Sequence, residues 1–193
     1  MDTPKHIDQV AFRRLEEADL ERLHGWYNLP HVQQWYTFRP YTYAEVAAKM
    51  LPRIRGETPT DPYLILLGNQ PIGYIQTYRV ADHPDYNRYV EADEHTAGLD
   101  LFIGEAACLH QGLGAEILRA FLQLVVFRQP WAEACIVGPE PGNYAAIRAY
   151  EKAGFIYWKT VHIPEEAQPE SLMRVWRNSG AGEMPAPSAG SLD

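Results

Sequence analysis

Disulfides, metal centres and membrane spans each lack the residues they would need in this chain. Among 193 residues only Cys108 and Cys135 are cysteines, and neither belongs to a C-x-x-C pair, so no disulfide framework is expected. His24, His31, His83, His95, His110 and His162 form no metal-spaced pair, and no metal is expected. The longest apolar run, residues 121–127, is interrupted by Gln123 and falls well short of the ~18 residues that suggest a membrane span. The opening MDTPKHIDQVAFRR holds no apolar segment of the kind a secretory signal needs, so a cytoplasmic protein without a membrane partner is expected. Basic residues are scarce too: 17 Lys and Arg stand against 25 Asp and Glu, a net charge of −8. That balance argues against a nucleic-acid binder that works by neutralising phosphates. It suits cationic partners, although the same charge also serves plain solubility.

What is present is 46% hydrophobic, 12% aromatic and 22% charged, the make-up of a globular fold at a length that suits one domain. Residues 1–177 are read as that domain. The stretch 178–193 (NSGAGEMPAPSAGSLD) has small residues and prolines that bury little, and is expected to be a disordered tail. Periodicity predicts a strand over 10–15, a helix from Asp19 carrying Leu20, Leu23 and Tyr27, and an aromatic loop over 31–43. Thr42 and Glu45 then form a capping-box pair that opens a second helix through Val46, Met50 and Ile54, with a kink expected at Pro52. Apolar runs 63–67 and 72–78 around Gly68 and Asn69 predict a hairpin. The acidic stretch 79–96 reads as a loop before a strand at 98–103. A long amphipathic helix is predicted over 112–127, a strand at 134–137, a helix at 143–152, and strands near 155–161 and 172–177.

Two segments have the residue types for chemistry. Leu109, His110, Gln111, Gly112, Leu113 and Gly114 stand between a strand and the long helix. A helix start leaves backbone NH groups unpaired and carries a partial positive charge, so glycines there let a phosphate approach closely. A G-x-G alone also serves simply to turn the chain. No Walker lysine follows, and Ile117 stands where the longer dinucleotide fingerprint needs glycine, which removes support for nucleoside triphosphate or nicotinamide binding. In the second segment, steps of three and four put Asn143, Ala146 and Tyr150 on one helix face, with Gly154 as the stop. A chain-like ligand could pass over Ala146 between the two polar residues. The same pattern also describes an amphipathic helix whose tyrosine is core.

The strand, the H-Q-G-L-G helix start and the N-x-x-A-x-x-x-Y-x-x-x-G-F segment, in that order and about 30 residues apart, resemble the Gcn5-related N-acetyltransferase (GNAT) family. Within it the likeness is to the aminoglycoside 6′-N-acetyltransferases. It is carried by H-V-Q-Q-W-Y at 31–36, P-I-G-Y-I-Q-T-Y at 71–78, G-L-D at 98–100, Q-G-L-G-A at 111–115 and A-I-R-A-Y-E-K-A-G-F at 146–155, and it runs from about Ile7 to Arg177. The resemblance implies a mixed α/β fold with a splayed, mostly antiparallel central sheet flanked by helices, and acetyl-CoA wedged in the gap. It implies that the backbone of Leu101, Phe102 and Ile103 pairs with pantetheine. His110, Gln111, Gly112, Leu113, Gly114 and Ala115 would hold the pyrophosphate, and Asn143, with Ala146 beside it, the pantetheine arm.

The reaction so implied moves an acetyl group directly to a primary amine, a small cationic acceptor. Asp100 is the candidate base and Tyr150 the candidate acid for the departing thiolate. An aspartate of ordinary pKa is a weak base for an ammonium, so burial or a water relay is required of Asp100, and holding the cation is a further role for it. Without the family, Asp100 also reads as a strand aspartate satisfied by its neighbours. Cys108 has no base in a recognisable pattern and is a poor candidate for an acyl-carrying nucleophile. Trp35, Tyr36, Tyr78, Asp100, Glu140 and the acidic stretch 82–94 are candidates for holding a polycationic acceptor, or else belong to the core and a solvated loop. One departure stands out: Gly138 occupies the position where the resembling resistance enzymes carry an aspartate, and Glu140 is the nearest substitute in sequence. A lysine- or hydroxylysine-type amine is the rival acceptor, and a non-catalytic module binding CoA or a cationic drug is the rival class.

Overall fold

The computed structural model describes residues 10–164 and 168–177. The tail expected at 178–193 and the part of the predicted domain before Val10 lie outside the described residues. Seven strands form one sheet: β1 (Val10–Arg14), β2 (Thr60–Leu67), β3 (Gln70–Arg79), β4 (Thr96–Ile103), β5 (Ala134–Val137), β6 (Ile156–Val161) and β7 (Glu170–Trp176). Their spatial order is β1-β2-β3-β4-β5-β7-β6, and every neighbouring pair is antiparallel except β4 with β5. The helices are α1 (Leu20–Tyr27), α2 (Pro30–Val32), α3 (Tyr43–Ile54), α4 (Pro84–Val90), α5 (Leu113–Leu124) and α6 (Tyr144–Lys152).

Alternation along the strands divides the core in two. Ile65, Ile75, Ala97 and Leu99 pack with Leu113, Ile117, Phe121 of α5 and Tyr150 of α6 on one face. Leu64, Tyr74 and Phe102 pack with Leu23, Trp26, Val46 and Met50 of α1 and α3 on the other. A period of two puts successive residues on opposite faces, so a strand buried on both sides needs an almost unbroken apolar run. The hairpin turns at Gly68, whose φ of +59° suits glycine. The capping box of α3 is also formed: Thr42 Oγ1 accepts from the Glu45 amide, and Glu45 Oε2 accepts from the Thr42 amide. That helix continues through Pro52 to Ile54.

Three expectations need correction. The aromatic stretch 31–43 is partly helical, because Pro30 starts α2 and a π-helical turn follows over Gln33–Thr37; Thr37 Oγ1 ties it to the Tyr27 carbonyl at 3.0 Å. The acidic stretch 79–96 contains α4, opened by Pro84 and anchored by Val80 and Val90 in a small cluster with Ile136 and Leu172. The long helix stops at Leu124 and gives way to a 3-10 turn at Val126–Arg128.

The central feature for function is where β4 and β5 stop pairing. Their parallel register covers only Thr96, Ala97 and Gly98 against Ala134, Cys135 and Ile136. Beyond Gly98, β4 runs on to Ile103 held by β3 alone on that edge, so the sheet is open between the two strands.

Candidate active site

A cavity of about 790 Å³ lies at this opening. Its floor is β4 from Leu99 to Ile103, one wall is the start of α5 with one face of α6, and the other is the turn at 34–38 with Lys49 and Arg53 of α3. Trp35 closes the rim: its ring stands 3.6 Å from where a Cβ on Gly142 would be, so the aromatic turn and the β5–α6 turn meet there.

Backbone alternation decides which β4 groups face the gap. The Gly104 amide donates to the Ile72 carbonyl at 2.8 Å, which makes Gly104 and Ile72 a hydrogen-bonded pair. By alternation Phe102 and Asp100 also point their backbone groups at β3, whereas Leu99, Leu101 and Ile103 point theirs away from it. Of the three residues expected to meet pantetheine, Phe102 is therefore turned to the wrong side. The Ile103 carbonyl already has a partner in His31 Nε2 at 3.1 Å. Leu101 fits the expectation best.

At the α5 end, Gly112 is the N-cap with φ +79°, and His110 has φ +60°. Left-handed residues this close together curl the chain so that successive amides face one concavity, the usual geometry of an anion cradle. A Cβ on Gly114 would lie 3.2 Å from that of Ala149, so small residues let α5 and α6 approach each other. His110, Gly112, Leu113, Gly114 and Ala115 line the cavity, but Gln111 does not; its side chain turns back to the Ala107 carbonyl. Arg148 and Lys152 of α6 add two cations to the lining. These residues fit a diphosphate with an extended arm. Asn143 lines the cavity while capping α6, its Oδ1 accepting from the Ala146 amide at 3.2 Å. Its amide NH2 is thus the group left to serve an arm passing over Ala146.

Asp100 and Tyr150 approach the cavity from opposite faces of the sheet. Asp100 points to the α3 side, where Gln76 Nε2 donates to Asp100 Oδ2 at 2.7 Å. Burial pushes its carboxyl above the ordinary value, against the Gln76 hydrogen bond and the charges of Arg53, Lys49 and His83. Tyr150 belongs to the α5 and α6 side, is 8% exposed, and packs edge-on against Phe155. Burial and then the charge of Asp100 raise its phenol, so it stays protonated and able to donate. Cys108 also lines the cavity, yet burial and Glu105 push its thiol up, the opposite of what a nucleophile needs.

The acceptor end is more mixed in charge than the sequence suggests. Trp35, Tyr36, Asp100 and Glu140 line the cavity as expected, together with Lys49, Arg53 and Glu170. Tyr78 does not; its ring covers Gly98 and meets the His83 ring at 4.7 Å. The acidic stretch does not face the cavity either: Glu91, Asp93 and Glu94 pair with Lys159, Arg174 and Arg79. Sequence reasoning missed Gln76, Lys49, Arg53 and Glu170. The i,i+4 spacing of Lys49 and Arg53 was a readable signal, whereas Gln76 and Glu170 depend on strand register.

The strand pair thus opens beside a helix N-terminus, with the Asp100 carboxyl and the Tyr150 phenol reaching the cavity from the two faces of the sheet. The model of the GNAT acetyltransferase domain matches residues 16–163, and the chain belongs to this family. The aminoglycoside N(6′)-acetyltransferase type 1 of Klebsiella pneumoniae is 35% identical over 161 residues, 82% of this chain and 79% of that one. Among solved structures, AAC(6′)-Ib in complex with coenzyme A and kanamycin superposes with a TM-score of 0.80 at 33% identity, over 88% of this chain and 96% of that one. The same enzyme with paromomycin and acetyl-CoA gives 0.81, again at 33% identity, over 89% and 96%. Among the described residues no helix is long and apolar enough to cross a membrane, and no group of three or more His, Cys, Asp or Glu side chains could hold a metal ion.

Proposed function

We propose that this protein transfers the acetyl group of acetyl-CoA to a primary amine by direct attack, and that the acceptor is the 6′-amino group of an aminoglycoside. One observation carries the reading: Asp100 and Tyr150, on opposite faces of the sheet, line a single cavity where β4 and β5 part. The relatives named above support the acceptor class.

The chemistry assigns each residue a task. The donor supplies an activated acyl group on a thiolate leaving group. An amine arrives mostly as ammonium and must lose a proton before it can attack. Asp100 holds the cation and takes that proton, and its raised pKa makes it a better base than an exposed carboxylate. Tyr150 donates a proton or a hydrogen bond to the departing sulfur. The backbone at Leu101 and the amides at the start of α5 fix the donor against the opening, so the reacting atoms meet in a set geometry.

Thiol release from acetyl-CoA, with kanamycin, tobramycin, lysine and hydroxylysine offered separately, tests this reading. Release with the two aminoglycosides is expected. Release with lysine or hydroxylysine alone would support the second reading, which the cations Lys49 and Arg53 favour because such acceptors carry a carboxylate. Binding of kanamycin without release would identify a non-catalytic module. Asp100→Asn is expected to cut turnover by about 10² or more, and unchanged turnover would remove it from the reaction.

A further inference from the structure

Phe38 combines a strained backbone with an exposed apolar ring, and it does so at the wall of the cavity. Its backbone is left-handed, with φ +58° and ψ −6°. The chain needs that conformation there, because it ends the π-helical turn over Gln33–Thr37 while the Phe38 amide donates to the Gln33 carbonyl at 2.9 Å. Glycine or asparagine normally supplies it, and a bulky side chain in this region is an outlier. Burial does not repay the strain: Phe38 is 58% exposed and belongs to none of the core clusters. Tyr43, Leu124, Tyr144, Ile156 and Tyr157 are exposed as well, yet of these residues and Phe38 only Phe38 lines the cavity. Its neighbours are held in place. Thr37 is buried and tied to the Tyr27 carbonyl, and Arg39 lies 4.0 Å over the Tyr41 ring and pairs with Glu45 at 2.9 Å.

We propose that Phe38 is an acceptor-binding residue: its ring is a platform for an aminosugar of the aminoglycoside, whose ammonium groups are drawn to the ring face. This role rests on the aminoglycoside reading given above and adds to it a contact on the acceptor wall. An aromatic face offers apolar area and attracts a cation at the same time, which is what an aminosugar presents. Phe38 shares its wall with Trp35, Lys49 and Arg53, across from the start of α5 and the face of α6 that fit the diphosphate and its arm, so the ring belongs to the acceptor and not to the donor. Backbone strain that the fold does not repay collects at ligand clamps, and a residue that lowers stability persists where function needs it.

The experiment compares wild type with Phe38→Asn, Phe38→Trp and, as a control, Leu124→Asn, which removes a similarly exposed apolar side chain that does not line the cavity. The readouts are kanamycin affinity by calorimetry in the presence of CoA, KM for kanamycin and for acetyl-CoA, and the melting temperature. Phe38→Asn should raise Kd and KM for kanamycin about 3- to 30-fold, the range of a cation–π contact, with KM for acetyl-CoA unchanged. Its melting temperature should equal or exceed that of wild type, because asparagine accepts a left-handed backbone with less strain; a ring that only supports the fold would do the reverse. Phe38→Trp should bind kanamycin at least as tightly as wild type, since indole offers the strongest face to a cation, and Leu124→Asn should bind it as wild type does. Unchanged kanamycin affinity in Phe38→Asn, an equal loss in Phe38→Trp, a rise confined to KM for acetyl-CoA, or a melting temperature of Phe38→Asn below wild type would overturn the proposal. Wild type that binds kanamycin yet releases no thiol would overturn the proposed function instead, and the Phe38→Asn affinity would still decide the role of the ring. Wild type that does not bind kanamycin would overturn both.

Discussion

Gln76 and Asp100 are register partners across β3 and β4, and their side chains are joined as well, Gln76 Nε2 donating to Asp100 Oδ2 at 2.7 Å. Gln76 Oε1 accepts from Arg53 Nη1 at 2.6 Å and from the Tyr74 hydroxyl at 2.7 Å. With two donors on its oxygen, the amide can turn only its NH2 group to Asp100. Gln76 therefore orients the carboxyl of Asp100, the proposed base, and links it to Arg53 of α3.

Removing that link has a defined effect on the pH profile. The Gln76 hydrogen bond favours the charged carboxylate and opposes the burial that raises it. In Gln76→Leu the Asp100 pKa should rise further. In the proposed role of base the carboxyl is inactive when protonated, so activity should be lost at a higher pH on the way down. The acid limb of log kcat/KM for kanamycin should shift upward relative to wild type, with a larger deficit at pH 6 than at pH 8. An unshifted limb with uniformly lower activity would mean that Gln76 only supports the fold.

Tyr150 should behave differently. Because burial and Asp100 hold its phenol above the ordinary value of about 10, its deprotonation cannot produce a falling limb at neutral or mildly alkaline pH. Tyr150→Phe keeps the ring against Phe155 and removes only the donor. It should lower kcat by about 10² and leave KM for acetyl-CoA nearly unchanged. Stopped-flow thiol detection at several pH values would check both statements, and full activity in the phenylalanine variant would exclude Tyr150 as the acid.

The parts of this site that are local in sequence were legible, and the parts that depend on register were not. The hairpin at Gly68, the Thr42 and Glu45 capping box and the glycine-rich start of α5 each involve residues within a few positions of one another, where turn and cap chemistry speaks directly. Asp100 and Tyr150 could be named from the resembling motifs, and both line the cavity. Gln76 lies 24 positions from the aspartate it hydrogen-bonds, and Glu170 lies 32 from Gly138, beside which its carboxyl sits. Nothing in a single sequence sets those distances. Tyr78 was misread for the complementary reason: an aromatic in a strand beside a site motif cannot be assigned to cavity or core until it is known which neighbour has no side chain, here Gly98. The helix α4 was missed because its polar residues dominate the composition while Val80, Val90 and Tyr86 do the anchoring.

The anion cradle can be tested without touching the reacting groups. Gly112 has φ +79° and open space around its Cβ position, so a β-branched residue there meets backbone strain rather than a clash. Strain of this kind costs about 1–3 kcal/mol and should tilt the amides at the start of α5. Gly112→Val is expected to weaken CoA about 10-fold for each bond lost. Gly56→Val is the control, since Gly56 also has open space and a φ of +70° but does not line the cavity. It should lose comparable stability and bind CoA as wild type does. Equal CoA affinity in the two variants, measured by calorimetry, would contradict the assignment of the diphosphate to this loop.

Gly98 tests the opening itself. It is the last β4 residue paired with β5, and a Cβ there would lie 2.4 Å from two atoms of the Tyr78 ring. The ring is enclosed between β4 and His83, so it has little room to withdraw. Gly98→Ala should destabilise the protein by about 1–3 kcal/mol, the range for overpacking. Because the cause is one contact, the loss should not add to that of a smaller residue at 78. The double variant Gly98→Ala, Tyr78→Leu should be less destabilised than the sum of its two single variants, as residues in direct contact are. Urea unfolding of the four proteins measures the coupling. Simple additivity would mean that alanine at 98 disturbs the β4 and β5 pairing directly, and that the absent side chain is needed to keep the strands together up to the point where they part.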